Sequence, residues 1–295
     1  MAEINEKLPP GAALDPDDVA DISKIALMVE LAFHAPDPVQ IREAIDAALS
    51  TAPAGADPAQ LKQLALEGLV RGYGHRSKLI DLQQPRDDDV PATPAAHPPP
   101  DDVDRMRIAT IAHFHPANWE TPDDCRSVLD PLLADGLEHI DAMVLDLRGN
   151  NGGSLAQIAC VASPFVEPGT AFLQVDLKNA DSRPIFVPAS PVPAITLPLV
   201  ILIDNTTDSG GMLFAASMQS LKRAKLVGTQ KTILNGDLFN QFDVVPQRYQ
   251  IRIPTGSMRR ADRRPLTDGV DIDVSSRFED PAEILRAVRA ALILD

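Results

Sequence analysis

The chain has 295 residues and sets 27 Lys and Arg against 42 Asp and Glu, a formal net charge of -15 that repels nucleic-acid phosphates and anionic lipid surfaces. Hydrophobic residues make up 44%, enough for a sizeable core, but the 27 prolines are unevenly spread, so part of the chain reads as linker. The N-terminal residues lack a basic start followed by an apolar stretch, and no segment has the ~20 apolar residues of a bilayer span, which reads as a soluble cytoplasmic chain with no nucleic-acid or membrane partner.

Three helices are expected first, over 16–33, 39–49 and 58–70. Asp15, Asp37 and Asp57 stand as caps, and Ile22, Ile25, Ala26, Val29 and Phe33 recur at helical spacing. The third ends at Gly72-Tyr73-Gly74-His75, where two glycines break the pattern. These elements define a small N-terminal helical domain, 1–83. A connector over 84–104 follows, with prolines at 85, 91, 94, 98, 99 and 100 that fix φ and remove donors. Its acidic residues Asp87 to Asp89 and Asp101-Asp102 read as solvating charge.

From 105 to 295 strand-like and helix-like runs alternate. Strands are expected over 106–114, 142–147, 199–203 and 224–227, and helices over 123–136, 154–165 and 209–221; a strand over 249–253 and a helix over 281–294 close the chain. Apolar strands in such alternation predict a layered α/β domain around a largely parallel sheet. The two cysteines, Cys125 and Cys160, have no metal-ligand spacing and read as buried or idle thiols rather than a disulfide.

Two glycine-bearing turns carry the candidate chemistry. Leu145-Asp146-Leu147-Arg148-Gly149-Asn150-Asn151-Gly152-Gly153 lies between a buried strand and a helix, where backbone N–H groups can face an anion or a developing oxyanion. It lacks the Lys-Ser/Thr and the glycine spacing of a nucleotide loop. In the second, Asp208-Ser209-Gly210-Gly211, Ser209 is either a nucleophile in the field of a helix N-terminus, with Gly210 N–H as an oxyanion donor, or, like Asp208, simply an N-cap.

The runs VLDLRGNNGGSLAQIACVASPF, PLVILIDNTTDSGGMLFAASMQSLKRAKLVGT and YQIRIPTG with TDGVDIDV resemble, in order and spacing, the C-terminal-processing or tail-specific serine proteases over residues 106–294. The resemblance implies a layered core of the ClpP/crotonase type, peptide substrates and no cofactor. It places the nucleophile at Ser209 and oxyanion donors at Gly210, Gly152 and Gly153. Gly269-Val270 and Asp273 look like the family's terminal pattern. The family's common lysine base is not matched, since Leu234 or Asn235 falls at its position, and nearby Lys231 reads as a solvated lysine. Another branch takes a histidine from a Leu-Gly-Asp-Gly-His-Thr motif after the N-terminal helices. Val70 to Ser77 resembles that motif and makes His75 the general base. The same branch draws its acid from near the terminal motif, where Asp268 is the nearest carboxylate, with Asp208 and Asp262 as competitors. Only the connector stands where relatives carry a PDZ module.

His113 and His115 share one face of an expected strand. With no third ligand evident they read as pocket residues contacting substrate, or as rivals to His75, rather than a metal site. Arg259-Arg260 with Arg263-Arg264 form a basic island that serves either ion pairing or carboxylate anchoring. Three functions follow: a serine hydrolase cleaving a peptide or small acyl substrate, a non-catalytic binding or scaffolding member, or another acyl reaction on the same fold. Homo-oligomerisation is left open.

Overall fold

The computed structural model describes residues 13–33, 38–73, 77–83, 101–115, 125–177, 181–229, 236–245 and 248–294. Helices α1 (Pro16–Phe33), α2 (Pro38–Leu49) and α3 (Pro58–Gly72) come first, then strands β1 (Lys78–Asp81), β2 (Asp101–Val103) and β3 (Met106–Thr110). Helix α4 (Arg126–Leu133), β4 (Ala142–Asp146), α5 (Leu155–Ala162), β5 (Ala171–Leu177), β6 (Arg183–Phe186), β7 (Leu199–Ile203) and α6 (Ser209–Ser220) follow. The chain closes with β8 (Lys225–Gly228), β9 (Asp237–Val245), β10 (Tyr249–Arg260), β11 (Val274–Ser275) and α7 (Pro281–Leu292).

Two compact units result, and they are not consecutive segments. The first comprises 1–89, 176–181 and 237–257; the second comprises 90–175, 182–236 and 258–295. In the first unit α3 starts as its sequence predicts. Asp57 accepts from Gln60 N at 2.8 Å while Gln60 Oε1 accepts from Asp57 N at 3.1 Å, a reciprocal capping box with Pro58 at the first helical position. The helices do not fill their own core. Tyr249, Ile251 and Ile253, alternate residues of β10, complete the cluster formed by Ile22, Ile45, Leu61, Leu66 and Leu69. Strand β10 pairs antiparallel with β1 and with β9, so the sequence of this unit is assembled from both ends of the chain.

The second unit is built on a six-stranded sheet of order β11-β8-β7-β4-β3-β2. β3, β4, β7, β8 and β11 are parallel and β2 is antiparallel to β3. Strands β4 and β7 are buried along their whole length, as two covered faces require. Val144, Val200, Leu202 and Val227 pack against Val288 and Ala291 of α7. Met143, Leu145, Ile201 and Ile203 point to the opposite face and are equally buried.

Asp101 and Asp102 do not solvate a connector. They begin the sheet in β2, where the Asp102 carboxylate accepts from Nε and Nη2 of buried Arg107 at 2.8 and 2.9 Å and falls below the usual carboxylate range because of that bond. Cys125 and Cys160 are a disulfide, not two thiols. Cys125 caps α4, Cys160 lies on α5, and their Cα atoms are 5.9 Å apart. The fold brings the start of α4 to α5 across a separation of 35 residues, which spacing alone does not reveal.

Candidate active site

Three neighbouring parallel strands, β3, β4 and β7, deliver their carboxyl-end loops to one edge of the sheet, the place where open α/β sheets hold ligands. After β7 the chain reads Asp204-Asn205-Thr206-Thr207-Asp208. The Asp204 Oδ1 accepts from Thr206 N and Oγ1 at 3.0 and 2.7 Å and from Thr207 N at 2.9 Å, a local turn closed by its first side chain. Burial pushes the Asp204 carboxyl up, but these bonds and one from Gly149 N outweigh it and hold it below the usual range. Thr207 Oγ1 donates across to Leu147 O at 2.8 Å, tying this loop to the one after β4.

Ser209 follows with φ at +48°. A residue with a Cβ in the left-handed region is strained, and such strain concentrates where function over-determines the backbone; a serine on a sharp strand-to-helix turn is also how nucleophile elbows are built. The capping alternative holds for position alone. Asp208 occupies the N-cap position with extended backbone but makes no side-chain bond to the helix, and the Ser209 hydroxyl has no partner among the described residues. The hydroxyl is exposed at the positive end of α6.

The loop after β4 is rigid at both ends. Arg148 lies against Asp146, with Nε at 2.9 Å from Oδ1 and Nη2 at 2.6 Å from Oδ2, and its guanidinium carbon stands 4.8 Å from the Phe278 ring centroid. Asn150, fully buried, accepts from Gly152 N at 2.8 Å through Oδ1 and donates through Nδ2 to Ile111 O at 2.7 Å. Phe114 forms a parallel bridge with Gly153: Phe114 N donates to Gly152 O and Ser154 N to Phe114 O, both at 2.8 Å.

The two loops meet at Gly152, whose φ is +104°. A Cβ there would lie 2.6 Å from Gly210 N and 3.0 Å from Ser209 Oγ, so only glycine leaves the space in front of the serine open. Among the described residues the N–H groups of Gly153 and Gly210 donate to nothing. Of the three donors expected from sequence, Gly152 is the exception: its N–H is already given to Asn150.

The other expected residues are distributed as follows. His75 and Lys231 lie outside the described residues. Asp268 sits on a 3-10 turn, half exposed, with Oδ2 at 3.7 Å from Arg264 Nε. Asp262 is taken by buried Arg260, at 3.1 and 2.7 Å, so the basic island is internally paired at that point. Asp273 of the terminal pattern is structural, accepting from Leu226 N at 2.7 Å and Gln219 Nε2 at 2.9 Å. His113 and His115 flank Phe114 with rings 5.3 Å apart. His115 N donates to His113 Nδ1 at 3.2 Å, and burial, then the neighbouring His113, depress the His115 pKa. Sequence reasoning missed Asp204, Thr207 and Asn150. The spacing Asp-Asn-Thr-Thr carried a turn signal for the first two.

Residues 106–276, more than half of the chain, match the profile of Peptidase family S41. The nisin-resistance protein of Lactococcus lactis subsp. lactis is 29% identical over 135 residues, covering 41% of this chain and 41% of that protein. The carboxy-terminal processing protease CtpA of Bacillus subtilis is 31% identical over 85 residues, 29% of this chain and 18% of that one. The chain thus matches less than half the length of these curated relatives. A lipoprotein from Streptococcus agalactiae has the same fold, with a TM-score of 0.69 at 16% identity over 96% of this chain and all of that one.

Proposed function

The chain belongs to peptidase family S41, and from that premise we propose that it cleaves peptide bonds through an acyl-enzyme on Ser209. The observation that carries this reading is the left-handed Ser209, its hydroxyl unpartnered among the described residues and facing the opening that Gly152 leaves. His75 is the general base. It takes the Ser209 proton as Oγ bonds to the substrate carbonyl carbon, and the oxyanion is held by Gly153 N–H and Gly210 N–H. Collapse breaks the C–N bond, His75 returns the proton to the leaving amine, and water activated by the same imidazole releases the acid. Asp268 is assigned to holding the imidazole tautomer, and His113 and His115 to the substrate's flank. Their rings, His113 buried and His115 partly so, suit an uncharged stretch of peptide.

The Cys125–Cys160 disulfide supports work in an oxidising compartment rather than the cytoplasmic placement suggested by the N-terminal residues. No helix among the described residues is long and apolar enough to cross a membrane. Nisin, the compound in the relative's description, is the first substrate to try, beside an unfolded general peptide substrate such as casein. Cleavage by the wild type that disappears in Ser209→Ala and His75→Ala is the expected result. Binding without cleavage would move the chain to the scaffolding reading. Cleavage of a thioester or lactone but no peptide would move it to the other acyl chemistry.

A further inference from the structure

We propose that Asn150 is a positioning residue that decides which backbone N–H groups receive the oxyanion and fixes Ser209 beside them; this rests on the peptidase reading above. Beside the local bond from Asn150 N to Leu147 O at 3.0 Å, three bonds leave this one buried residue. Nδ2 donates to Ile111 O, just beyond β3, at 2.7 Å; Oδ1 accepts from Gly152 N, after β4, at 2.8 Å; and its carbonyl accepts from Asp208 N, after β7, at 2.8 Å. Asn150 therefore joins the ends of the three strands that supply the site.

The first consequence is a selection among donors. Gly152 gives its N–H to Asn150 and its carbonyl to Phe114 N, so both of its polar groups are spent inward. In the parallel bridge the groups flanking Gly153 bond to Phe114, and the N–H of Gly153 itself points away from that partner. Spending Gly152 in this way leaves Gly153 and Gly210 as the outward pair.

The second consequence concerns the nucleophile. Asp208 immediately precedes the left-handed Ser209, and its bond to the Asn150 carbonyl fixes the entry to that turn. A Cβ on Gly211 would stand 2.7 Å from Asn150 Oδ1, so the first turn of α6 rests on the same amide. The position needs one donor and one acceptor with no charge. A carboxylate could accept from Gly152 but not donate to Ile111 O, and it would set a negative charge beside the nascent oxyanion.

The test compares Asn150→Ala and Asn150→Asp with the wild type by the second-order rate of labelling with a fluorophosphonate across about pH 5 to 8, the range in which a histidine base titrates. Asn150→Ala is expected to label about 100-fold or more slowly at every pH, the scale of a lost oxyanion donor. Asn150→Asp is expected to be slow at neutral pH, with its ratio to wild type recovering on acidification, because a protonated carboxyl restores one donor and one acceptor. A folded Asn150→Ala with a normal rate overturns the proposal, and so does an Asp ratio that is flat with pH. Residue-level hydrogen exchange separates this proposal from the peptidase reading. If the wild type does not label, the peptidase reading falls; positioning still stands if the Gly152 amide is protected in the wild type and exchanges freely in Asn150→Ala while Val144 in β4 stays protected. A freely exchanging Gly152 amide in the wild type overturns it.

Discussion

The loops after β4 and β7 solve opposite problems with the same backbone region. The first has positive φ at Gly149, Gly152 and Gly153, and its contribution is empty space plus the outward N–H of Gly153. The second has positive φ at Ser209, where a side chain is the contribution and the strain of carrying it is retained. Gly152 stands where a Cβ would collide with the serine loop and Gly153 where one would collide with Phe114, while a non-glycine stands where a hydroxyl must be presented. Neither feature points to chemistry by itself, since Asp104, Arg105, Asp135, Lys222, Arg263 and Phe278 also have positive φ; the strained serine and the glycine opening do so because they face each other.

The largest effect that would break this contrast is expected at Ser209. Ser209→Gly should abolish peptide cleavage yet raise stability by about 1 kcal/mol, as the left-handed backbone loses its penalty. A thermal melt beside the cleavage assay checks both halves, and a destabilised Ser209→Gly would remove the strain argument. Next comes Gly152→Ala. Its added methyl fills the space before Ser209 Oγ, so turnover should fall by about 100-fold or more, by analogy with a lost oxyanion donor, while the Cys125–Cys160 bond still forms. Near-normal turnover would show that the opening is not where substrate binds.

The donor loop also has an anchor that the serine loop lacks, since α5, which continues it, is bonded to α4 through Cys160. Replacing both cysteines by serine should cost about 2–5 kcal/mol of stability in denaturant unfolding. An unchanged unfolding midpoint would remove the disulfide from the account. The smallest effect is a pH dependence at Asp204. Its carboxyl is depressed in the folded chain, so the unfolded chain binds the proton more readily. The stabilisation is complete above the ordinary aspartate value of 3.8 and is lost as pH falls through the lower folded pKa. Asp204→Asn should therefore flatten the acid limb of stability without moving the neutral plateau's shape, as read from melts across that range.

Much of the parallel core was legible because β4 and β7 are apolar on both faces and each ends in a turn of small and polar residues. The serine and the glycine loop were legible as a pair through their order along the chain. What sequence withheld were relations between distant segments. Tyr249, Ile251 and Ile253 complete a helical core nearly 200 positions upstream, roughly the whole length of the intervening domain. Cys125 meets Cys160 only in the folded chain, 35 residues apart in sequence. Asn150 looked like one more polar loop residue, because its bonds to Ile111 O and Asp208 N reach segments that no spacing rule connects. The fate of the Gly152 N–H followed from that same side chain two residues earlier, a local turn pattern that went unread.

Adduct mapping tests the role of Ser209 as nucleophile most directly. The intact, oxidised chain is treated with a fluorophosphonate, digested and analysed by mass spectrometry. One stoichiometric adduct on Ser209, absent after prior denaturation, is the predicted result. A natively folded chain that stays unmodified, or carries its adduct on another residue, would contradict it.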